Sequence, residues 1–221
     1  MVHHRDPSRG TVRGVPAGRL ITVEGLDGAG KTTLIGALAG ALHERGREVL
    51  VLREPGGVAL SERIRELVKD PAFDTDPHAE ALLYAAARAQ LVAEQLRPLL
   101  DAGRWLLLDR FVDSSLAYQG AGRNVGMEEM RRLNAFATRG LMPDRTLLLR
   151  IDPRAGLARA TARGQDFDRL EREDPTFFDR VARAYDELAA AEPERIVVID
   201  ATQEPRAVLA EAVRALGPLL G

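Results

Sequence analysis

From residue 20 onward, the chain alternates short and almost fully apolar runs with longer amphipathic segments. The apolar runs are LITVE (20–24), EVLVL (48–52), WLLLD (105–109), TLLLRI (146–151) and IVVID (196–200). Runs this short and this apolar are typical of parallel strands that are buried on both faces of a sheet. The pattern therefore predicts a sheet of parallel strands formed by these runs.

The segments between the apolar runs have helical periodicity. The first helix opens at a glycine-rich loop and ends near Gly46, and the others are predicted over about 61–70, 78–101, 127–139, 153–163, 176–191 and 205–216. Two of these helices begin at Asp152-Pro153 and Asp174-Pro175, which suits a capping aspartate followed by proline at the first helical position. Strands alternating with helices predict an α/β fold, in which helices cover both faces of the sheet.

Composition narrows the classes of protein that remain. The 221 residues are 45% hydrophobic and 29% charged, and the formal net charge of −2 gives no overall positive charge for binding nucleic acid. The absence of cysteine excludes disulfides, thiol catalysis and thiolate metal sites. Because no apolar run reaches the roughly 18 residues needed to span a bilayer, we expect a cytoplasmic protein that binds neither nucleic acid nor membrane.

The first residues, 1–18, are polar and rich in Arg, Gly and Pro, without the apolar stretch of a signal peptide. They are predicted to form a disordered tail. The length of the remainder suits one α/β domain with a sizeable core, and residues 19–221 are predicted to form it.

The segment GLDGAGKT (25–32) matches the phosphate-binding pattern G-x-x-x-x-G-K-[ST] in full, between the first strand and the first helix. Backbone N–H groups of such a loop cradle phosphate oxygens. Lys31 is predicted to reach the β- and γ-phosphates of ATP, and the Thr32 hydroxyl to bind Mg²⁺. A chance match in a chain of this length has odds on the order of one in a hundred. The predicted ATP-binding residues of this segment are Gly25, Leu26, Asp27, Gly28, Ala29, Gly30, Lys31, Thr32 and Thr33.

Asp109 ends the apolar run WLLLD. A carboxylate at the C-terminal end of a central strand, beside a phosphate-binding loop, can hold Mg²⁺ through water. The alternative is a turn or helix cap, and we favour the metal because ligands of open α/β sheets bind at the carboxyl ends of strands. Asp152 also ends a strand, but Pro153 follows it and favours the capping role there.

Phosphate-binding loops occur in switches, motors, transporters and kinases, but the N-K-x-D segment of GTPase switches is absent. Six segments identify the kind of protein: VEGLDGAGKTT (23–33), REPGG (53–57), YAAARAQL (84–91), DRFVDSSLAYQGAGR (109–123), RATARGQDFDRLE (159–171) and IDATQ (199–203). In their order and spacing, they closely resemble the bacterial thymidylate kinases over nearly the full length after the tail.

This resemblance implies the P-loop NTPase fold with a five-stranded parallel sheet and a mobile lid, over about 159–175 here. It also implies transfer of the γ-phosphate of Mg·ATP to dTMP, giving ADP and dTDP for dTTP synthesis, by a homodimer. Segment 78–101 carries surplus apolar residues that suit a helical pairing surface, among them Leu82, Leu83, Leu91, Leu96 and Leu99.

The predicted acceptor site begins with Arg53 and Glu54, which follow the second strand at the ligand edge of the sheet. Tyr84 and Arg88 are four residues apart on one helix and point the same way. An aromatic ring beside a guanidinium can stack on a base and donate to its carbonyl. The resemblance implies that these two residues stack on thymine and contact its exocyclic oxygen.

Arg110 follows Asp109 directly and is predicted to clamp the acceptor phosphate bidentately. Ser115 and Gln119 are candidate polar readers of the base. Tyr118 matches a family tyrosine placed against the 2′ position of the sugar, although spacing alone would fit a packed aromatic residue nearly as well.

The catalytic arginines are predicted in the lid. Some thymidylate kinases carry an arginine in the phosphate-binding loop directly after the acidic residue, but this chain has Gly28 there. Phosphoryl transfer benefits from an arginine at the transferred group, so Arg163 and Arg169 are predicted to supply the missing charge. Arg159 is predicted to contact ATP. The other predicted catalytic residues are Lys31, Arg110 and Asp27. The alternative is that these lid arginines form a solvated surface neutralised by neighbouring acids.

Two other functions remain open from the residues alone. A deoxynucleoside kinase would have no use for Arg110 as a phosphate clamp. A catalytically silent nucleotide-binding regulator would not need the lid arginines.

Overall fold

The computed structural model describes residues 18–162, 169–170 and 172–220. Each predicted strand is present: β1 (Arg19–Gly25), β2 (Val49–Arg53), β3 (Trp105–Asp109), β4 (Arg145–Arg150) and β5 (Ile196–Asp200). They form one parallel sheet in the order β2-β3-β1-β4-β5. The prediction of a five-stranded parallel sheet is therefore confirmed, whereas the predicted tail, apart from Gly18, lies outside the described residues.

The strand order determines where a ligand can bind. The chain winds from β1 out to β2, returns to β3, and then crosses to β4 on the other side of β1. This change of direction leaves a crevice at the carboxyl ends of β1 and β3, the usual ligand position in open α/β sheets. Val23 lies opposite Asp109 in the ladder, so the phosphate-binding loop emerges beside that carboxylate.

Helices connect the strands and follow the last one. Described residues form α1 (Lys31–His43), α2 (Ala59–Lys69), α3 (Pro77–Leu91), α4 (Arg97–Asp101), α5 (Val112–Ser115), α6 (Met127–Thr138), α7 (Pro153–Thr161), α8 (Pro175–Ala191), α9 (Pro205–Ala215) and α10 (Gly217–Leu220). A π-helical turn, Val92–Leu96, joins α3 to α4, so the predicted helix over 78–101 is nearly continuous. A second one, Leu116–Gly122, continues α5.

The capping aspartates behave as the sequence predicts. Asp152 Oδ1 accepts hydrogen bonds from the backbone of Arg154 at 3.0 Å and Ala155 at 3.2 Å. Asp174 Oδ1 likewise accepts from the backbone N–H of Thr176 at 2.7 Å. Both aspartates therefore satisfy N–H groups that the first helical turn leaves without a partner.

Apolar side chains fill both faces of the sheet. Along β3, Leu106 and Leu108 pack with Leu96 and Phe111 on one face, whereas Leu107 packs with the cluster of α1 and α8 on the other. Alternation of buried residues between two faces confirms that helices cover both sides. Among the described residues, no helix has the length and apolar character needed to cross a membrane.

Candidate active site

A cavity of about 230 Å³ lies at the carboxyl ends of β1, β2 and β3. Most of the predicted site residues line it: Asp27, Gly28, Gly30, Lys31, Thr32, Thr33, Arg53, Glu54, Tyr84, Arg88, Asp109, Arg110, Ser115, Tyr118 and Gln119. The residues predicted to bind the ATP phosphates and those predicted to bind the phosphate acceptor thus line the same cavity.

Two glycines set the path of the phosphate-binding loop. Gly28 and Gly30 have φ values of 81° and 93°, a region that side chains with a Cβ rarely adopt. A Cβ on Gly28 would lie 2.0 Å from the carbonyl oxygen of Gly156 in α7. A Cβ on Gly30 would meet nothing within 4 Å, so this part of the loop borders open space.

Lys31 is folded back onto the loop that it follows. Its side chain is only 8% exposed, and Nζ donates to the carbonyl oxygens of Gly25 at 3.1 Å and Leu26 at 2.9 Å. Burial and the neighbouring Arg110 charge lower the pKa of Lys31, while Asp27 opposes the shift. The ammonium group is therefore held at the floor of the cavity, where phosphate oxygens would compensate its charge.

Asp27 and Arg110 form an ion pair across the cavity. Arg110 Nη2 lies 2.7 Å from Asp27 Oδ1. Burial alone would raise the pKa of Asp27, but the charges of Arg110 and Lys31 bring it well below its usual range. The charges of Arg110 and Lys31 thus favour the carboxylate form of Asp27.

The backbone turn at Arg110 depends on a buried acid, Glu24. Arg110 has a φ of 65°, a left-handed conformation that is unusual for a side chain of this size. Glu24 Oε1 accepts the next backbone N–H, that of Phe111, at 2.7 Å, and Glu24 Oε2 accepts the hydroxyl of Ser114. Ser114 Oγ in turn accepts from Arg110 Nη1 at 3.2 Å. Burial, followed by the nearby Asp113, raises the pKa of Glu24 to about 7.

The residues predicted to hold Mg²⁺ suit that ion. Asp109 Oδ1 is buried and accepts no hydrogen bond within the part of the chain that the structure describes. Thr32 lines the same cavity. No group of three or more His, Cys, Asp or Glu side chains among the described residues could hold a metal. One carboxylate and one hydroxyl match the sparse protein ligation of Mg²⁺, which keeps water and phosphate oxygens as its other ligands.

Arg88 is the centre of a buried polar cluster beneath the predicted acceptor site. Its Nε donates to Glu54 at 2.9 and 3.0 Å, and its Nη2 donates to Glu54 and to the Phe111 carbonyl oxygen. Its Nη1 donates to Ser115 Oγ at 2.9 Å and to Asn134. Every N–H of Arg88 thus has a protein acceptor, so a base carbonyl would have to share one of them.

The other predicted acceptor residues lie around this cluster. Tyr84 is half-buried in the cavity wall. Tyr118 is 4% exposed, and its hydroxyl lies 3.3 Å from Arg110 Nη2. Burial keeps the pKa of Tyr118 far above its usual value, so the hydroxyl is neutral. Arg53 is at the rim, where its guanidinium bonds both oxygens of Glu62 at 2.9 and 3.0 Å.

Several predicted residues do not line the cavity. Gly25 and Leu26 contribute only the backbone oxygens that Lys31 contacts, and Ala29 is buried in the core. Arg159 Nη1 donates to the carbonyl oxygen of Ala201, just after β5, at 2.8 Å. Arg163 lies outside the described residues.

Arg169 contacts α2 and α3 in this structure. Its Nε donates to the Val68 carbonyl oxygen at the end of α2 at 3.1 Å, and its Nη2 donates to Glu80 in α3. The next residue, Leu170, is the one that lines the cavity. The catalytic role of Arg169 remains a prediction.

The sequence analysis missed several residues of the site. Pro55, Arg65, Lys69, Ser114 and Leu170 also line the cavity. Arg65 and Lys69 are four residues apart on α2, a spacing that places them on one helix face and was available in the sequence. The buried acids Glu24 and Glu80 carried a weaker signal, since each is a single charge within an apolar segment.

Comparisons with known proteins agree with this geometry. The family model for thymidylate kinase matches residues 23–212. The thymidylate kinase of Deinococcus radiodurans is 52% identical over 186 residues, which are 84% of this chain and 90% of that protein. That of Lactobacillus delbrueckii subsp. bulgaricus is 49% identical over 200 residues, 89% of this chain and 94% of that protein.

A solved structure extends the likeness to the fold. The thymidylate kinase from Ehrlichia chaffeensis superposes with a TM-score of 0.73 at 29% identity, covering 91% of this chain and 99% of that one. The matched residues include the phosphate-binding loop, the Asp27–Arg110 pair and the Arg88 cluster. On these grounds the chain belongs to the thymidylate kinase family.

Proposed function

We propose that this protein transfers the γ-phosphoryl group of ATP to dTMP, giving ADP and dTDP. The observation that carries the proposal is the contact of Asp27 with Arg110 at 2.7 Å, within the cavity that Lys31 also lines. This contact supports the proposal, because the guanidinium that we assign to the acceptor phosphate lies next to the loop that we assign to the donor phosphates. Two phosphate sites side by side are what phosphoryl transfer between nucleotides needs.

The residues act by positioning and by charge. Lys31 and the loop N–H groups hold the β- and γ-phosphates, and Arg110 holds the acceptor phosphate in the same cavity. Bound Mg²⁺, held by Thr32 and by Asp109 through water, would neutralise charge on the donor phosphates. Asp27, a carboxylate, keeps Arg110 oriented until the acceptor phosphate takes over its N–H donors. Arg163, Arg169 and Arg159 are proposed to add positive charge on the donor side. Arg169, which pairs with Glu80 in this structure, would have to leave that ion pair to do so.

The acceptor base is proposed to lie over the Arg88 cluster. Tyr84 stacks on its face, Arg88 and Ser115 contact the exocyclic oxygen, and Gln119 reads the polar edge. Tyr118 occupies the space next to the sugar where a 2′-hydroxyl would have to fit, which favours deoxyribose. Arg53 and Glu54 complete the wall on the β2 side.

Turnover with thymidine and with dTMP tests the acceptor class. We expect ADP formation in a coupled assay with dTMP and almost none with thymidine, because Arg110 then has no phosphate to bind. Phosphorylation of thymidine in preference to dTMP would favour a deoxynucleoside kinase. Nucleotide binding without turnover across a panel of acceptors would favour a regulator.

A homodimer is also proposed. Exposed apolar side chains lie on α3 and on the two helices that pack against it: Leu82 on α3, Leu60 and Leu67 on α2, and Phe136 on α6, which is 85% exposed. We call these four residues the apolar helix face. Of the residues that the sequence analysis named for pairing, Leu91 and Leu96 are instead core residues with no exposed surface. Because the reaction draws on ATP and dTMP, we place the protein in the cytoplasm.

A further inference from the structure

Glu80 is a buried acid that the proposed reaction does not use. It lies in the first turn of α3 and has no exposed surface. Three side chains from other parts of the chain converge on it. Gln119 Nε2 donates to Glu80 Oε1 at 2.8 Å, Arg123 Nη2 lies 3.2 Å from Oε2, and Arg169 Nη2 pairs with the same Oε2.

The two arginines account for the charge of Glu80. An ionised carboxylate in the core needs compensating cations and hydrogen bonds, and Arg123 and Arg169 supply both. Arg123 is itself held by Glu173, whose Oε1 lies 2.6 Å from Arg123 Nη1. Paired in this way, Glu80 is a carboxylate, and a carboxylate accepts hydrogen bonds but cannot donate them.

This chemistry fixes the orientation of the Gln119 amide. A side-chain amide has donors on one side and an acceptor on the other. Since Glu80 can only accept, the Gln119 NH₂ group must face it, and the amide oxygen must face the other way. Within residues 18–162, 169–170 and 172–220, no donor contacts Gln119 Oε1, although Gln119 lines the cavity.

We propose that Glu80 is a positioning residue for base recognition: it holds the Gln119 amide so that the oxygen faces the acceptor pocket. A hydrogen-bond acceptor at that point can bind the imide N3–H of thymine. It disfavours cytosine, because N3 of cytosine is itself a hydrogen-bond acceptor. Glu80 thereby contributes to the choice of dTMP without touching the base. The inference rests on the proposed function and deepens it.

The test replaces Glu80 by an amide of the same shape. In Glu80→Gln, residue 80 can donate as well as accept, so Gln119 can turn its NH₂ group toward the pocket. We expect the KM for dTMP to rise by about 10-fold with kcat changed much less, which is the size of a lost or mismatched hydrogen bond. The ratio of kcat/KM for dTMP to that for dCMP should fall by about 10-fold or more. Unchanged KM and an unchanged ratio would overturn the inference.

A matched control comes from the same network. Glu173→Gln makes the same chemical change at a residue that contacts Arg123 and leaves the Glu80–Gln119 hydrogen bond intact. It should keep the discrimination between dTMP and dCMP. Equal loss of discrimination in Glu173→Gln and Glu80→Gln would assign the effect to general loosening of the network and overturn the inference.

A second variant guards against misfolding of the first. Glu80→Asp keeps the charge that Arg123 and Arg169 need but shortens the reach to Gln119. It should lower the dTMP-to-dCMP ratio in the same direction, with folding checked by urea unfolding. Full discrimination in a folded Glu80→Asp protein would contradict the inference.

A double-mutant cycle separates this inference from the proposed function. If Glu80 acts through Gln119, then Glu80→Gln should add little to the KM defect of Gln119→Ala. Additive defects would overturn the positioning role. If Gln119→Ala leaves the KM for dTMP unchanged, the inference fails while dTMP phosphorylation stands. If the unaltered protein does not phosphorylate dTMP, the proposed function itself fails.

Discussion

At the scale of single residues, buried and half-buried titratable groups dominate the site. Lys31, Asp27, Arg110 and Glu24 lie within one connected set of contacts, each compensated by another or by backbone dipoles. A buried charge with these partners is oriented before any substrate arrives, which is how electrostatic stabilisation of a transferring phosphoryl group becomes effective. Altering these residues should therefore have different effects. The effect of Lys31 on kcat and the effect of Glu24 on stability can be measured separately.

Lys31 is expected to act on chemistry and not on folding. Lys31→Ala removes the only side-chain charge that the phosphate-binding loop directs at the β- and γ-phosphates, and kcat should fall by about 10²–10³-fold, as for loss of a comparable transition-state donor. Thermal unfolding should remain cooperative, because the loop glycines keep their conformation without the ammonium group. Near-normal kcat in the folded variant would refute the assignment of this loop.

Glu24 is expected to make stability depend on pH. Its pKa in the folded protein, about 7, lies above the ordinary glutamate value of 4.5. A raised carboxyl pKa means that the folded state binds the proton more tightly, so this contribution to stability is present below pH 4.5 and is lost as pH rises through 7. The shift corresponds to about 3 kcal/mol. Glu24→Gln, which mimics the protonated acid, should remove this part of the pH dependence.

Urea unfolding of the two proteins at several pH values checks the prediction. The variant should gain about 3 kcal/mol relative to the unaltered protein between pH 4.5 and 7.5. The exposed Glu66 on α2 provides the control, and Glu66→Gln should show no such trend. A constant difference between Glu24→Gln and the unaltered protein across this range would show that Glu24 titrates normally.

At the scale of elements, the phosphate-binding loop is held by α7 as well as by α1. Gly28 and Gly156 meet so closely that a Cβ on either would strike the other segment, at 2.0 Å from the Gly156 oxygen and at 2.8 Å from the Asp27 oxygen. This contact gives a physical reason for the absence of an arginine after Asp27. No side chain fits at Gly28 while α7 stays where it is, so an arginine cannot be accommodated at this position.

Gly156→Ala should therefore displace the loop. The added methyl group meets backbone and cannot be relieved by a rotamer change, so we expect a loss of about 1–3 kcal/mol in the free energy of unfolding and a higher KM for ATP. The matched control is Gly36→Ala on α1, where a Cβ meets nothing within 4 Å. In that exposed helix position alanine should instead stabilise the protein by about 0.5–1 kcal/mol. Equal effects of the two substitutions would contradict a contact between α7 and the loop.

Elements also differ in how well the sequence predicts them. The five strands were predictable because each is a short, almost wholly apolar run, and burial on both faces leaves few alternatives. The π-helical turn Leu116–Gly122 was not, because two glycines disfavour a helix there. Tertiary packing overrides that preference, because Gly122 lies directly against α8. A Cβ at this position would lie 2.6 Å from the ring of Phe177.

Local sequence patterns likewise predict only part of the candidate site. The cavity positions of Lys31 and Thr32 were predictable from the phosphate-binding pattern after β1, and that of Asp109 from its place at the carboxyl end of β3. The position of Arg169 was not, because its partner Glu80 is 89 residues away in the sequence. Local patterns carry no information about such a pair.

At the scale of the whole molecule, we expect the apolar helix face to bind a second copy of the chain. Leu60, Leu67 and Leu82 are 46–59% exposed and Phe136 is 85% exposed. Stable protein interfaces bury about 800 Å² per partner around central aromatic or aliphatic anchors. Phe136 is the largest such anchor among these four residues, so pairing of two chains through α2, α3 and α6 would remove it from water.

Phe136→Glu tests this arrangement, because it places two charges in the interface and costs the isolated fold little at so exposed a position. Light scattering at micromolar concentration should give twice the 24.1 kDa chain mass for the unaltered protein and a mass near 24.1 kDa for the variant. Leu157→Glu on α7, where Leu157 is 38% exposed, is the control and should leave the mass unchanged. A monomeric mass for the unaltered protein would exclude the homodimer. A dimeric Phe136→Glu would instead place the pairing surface elsewhere, since a desolvated pair of like charges cannot be accommodated at the centre of an apolar interface.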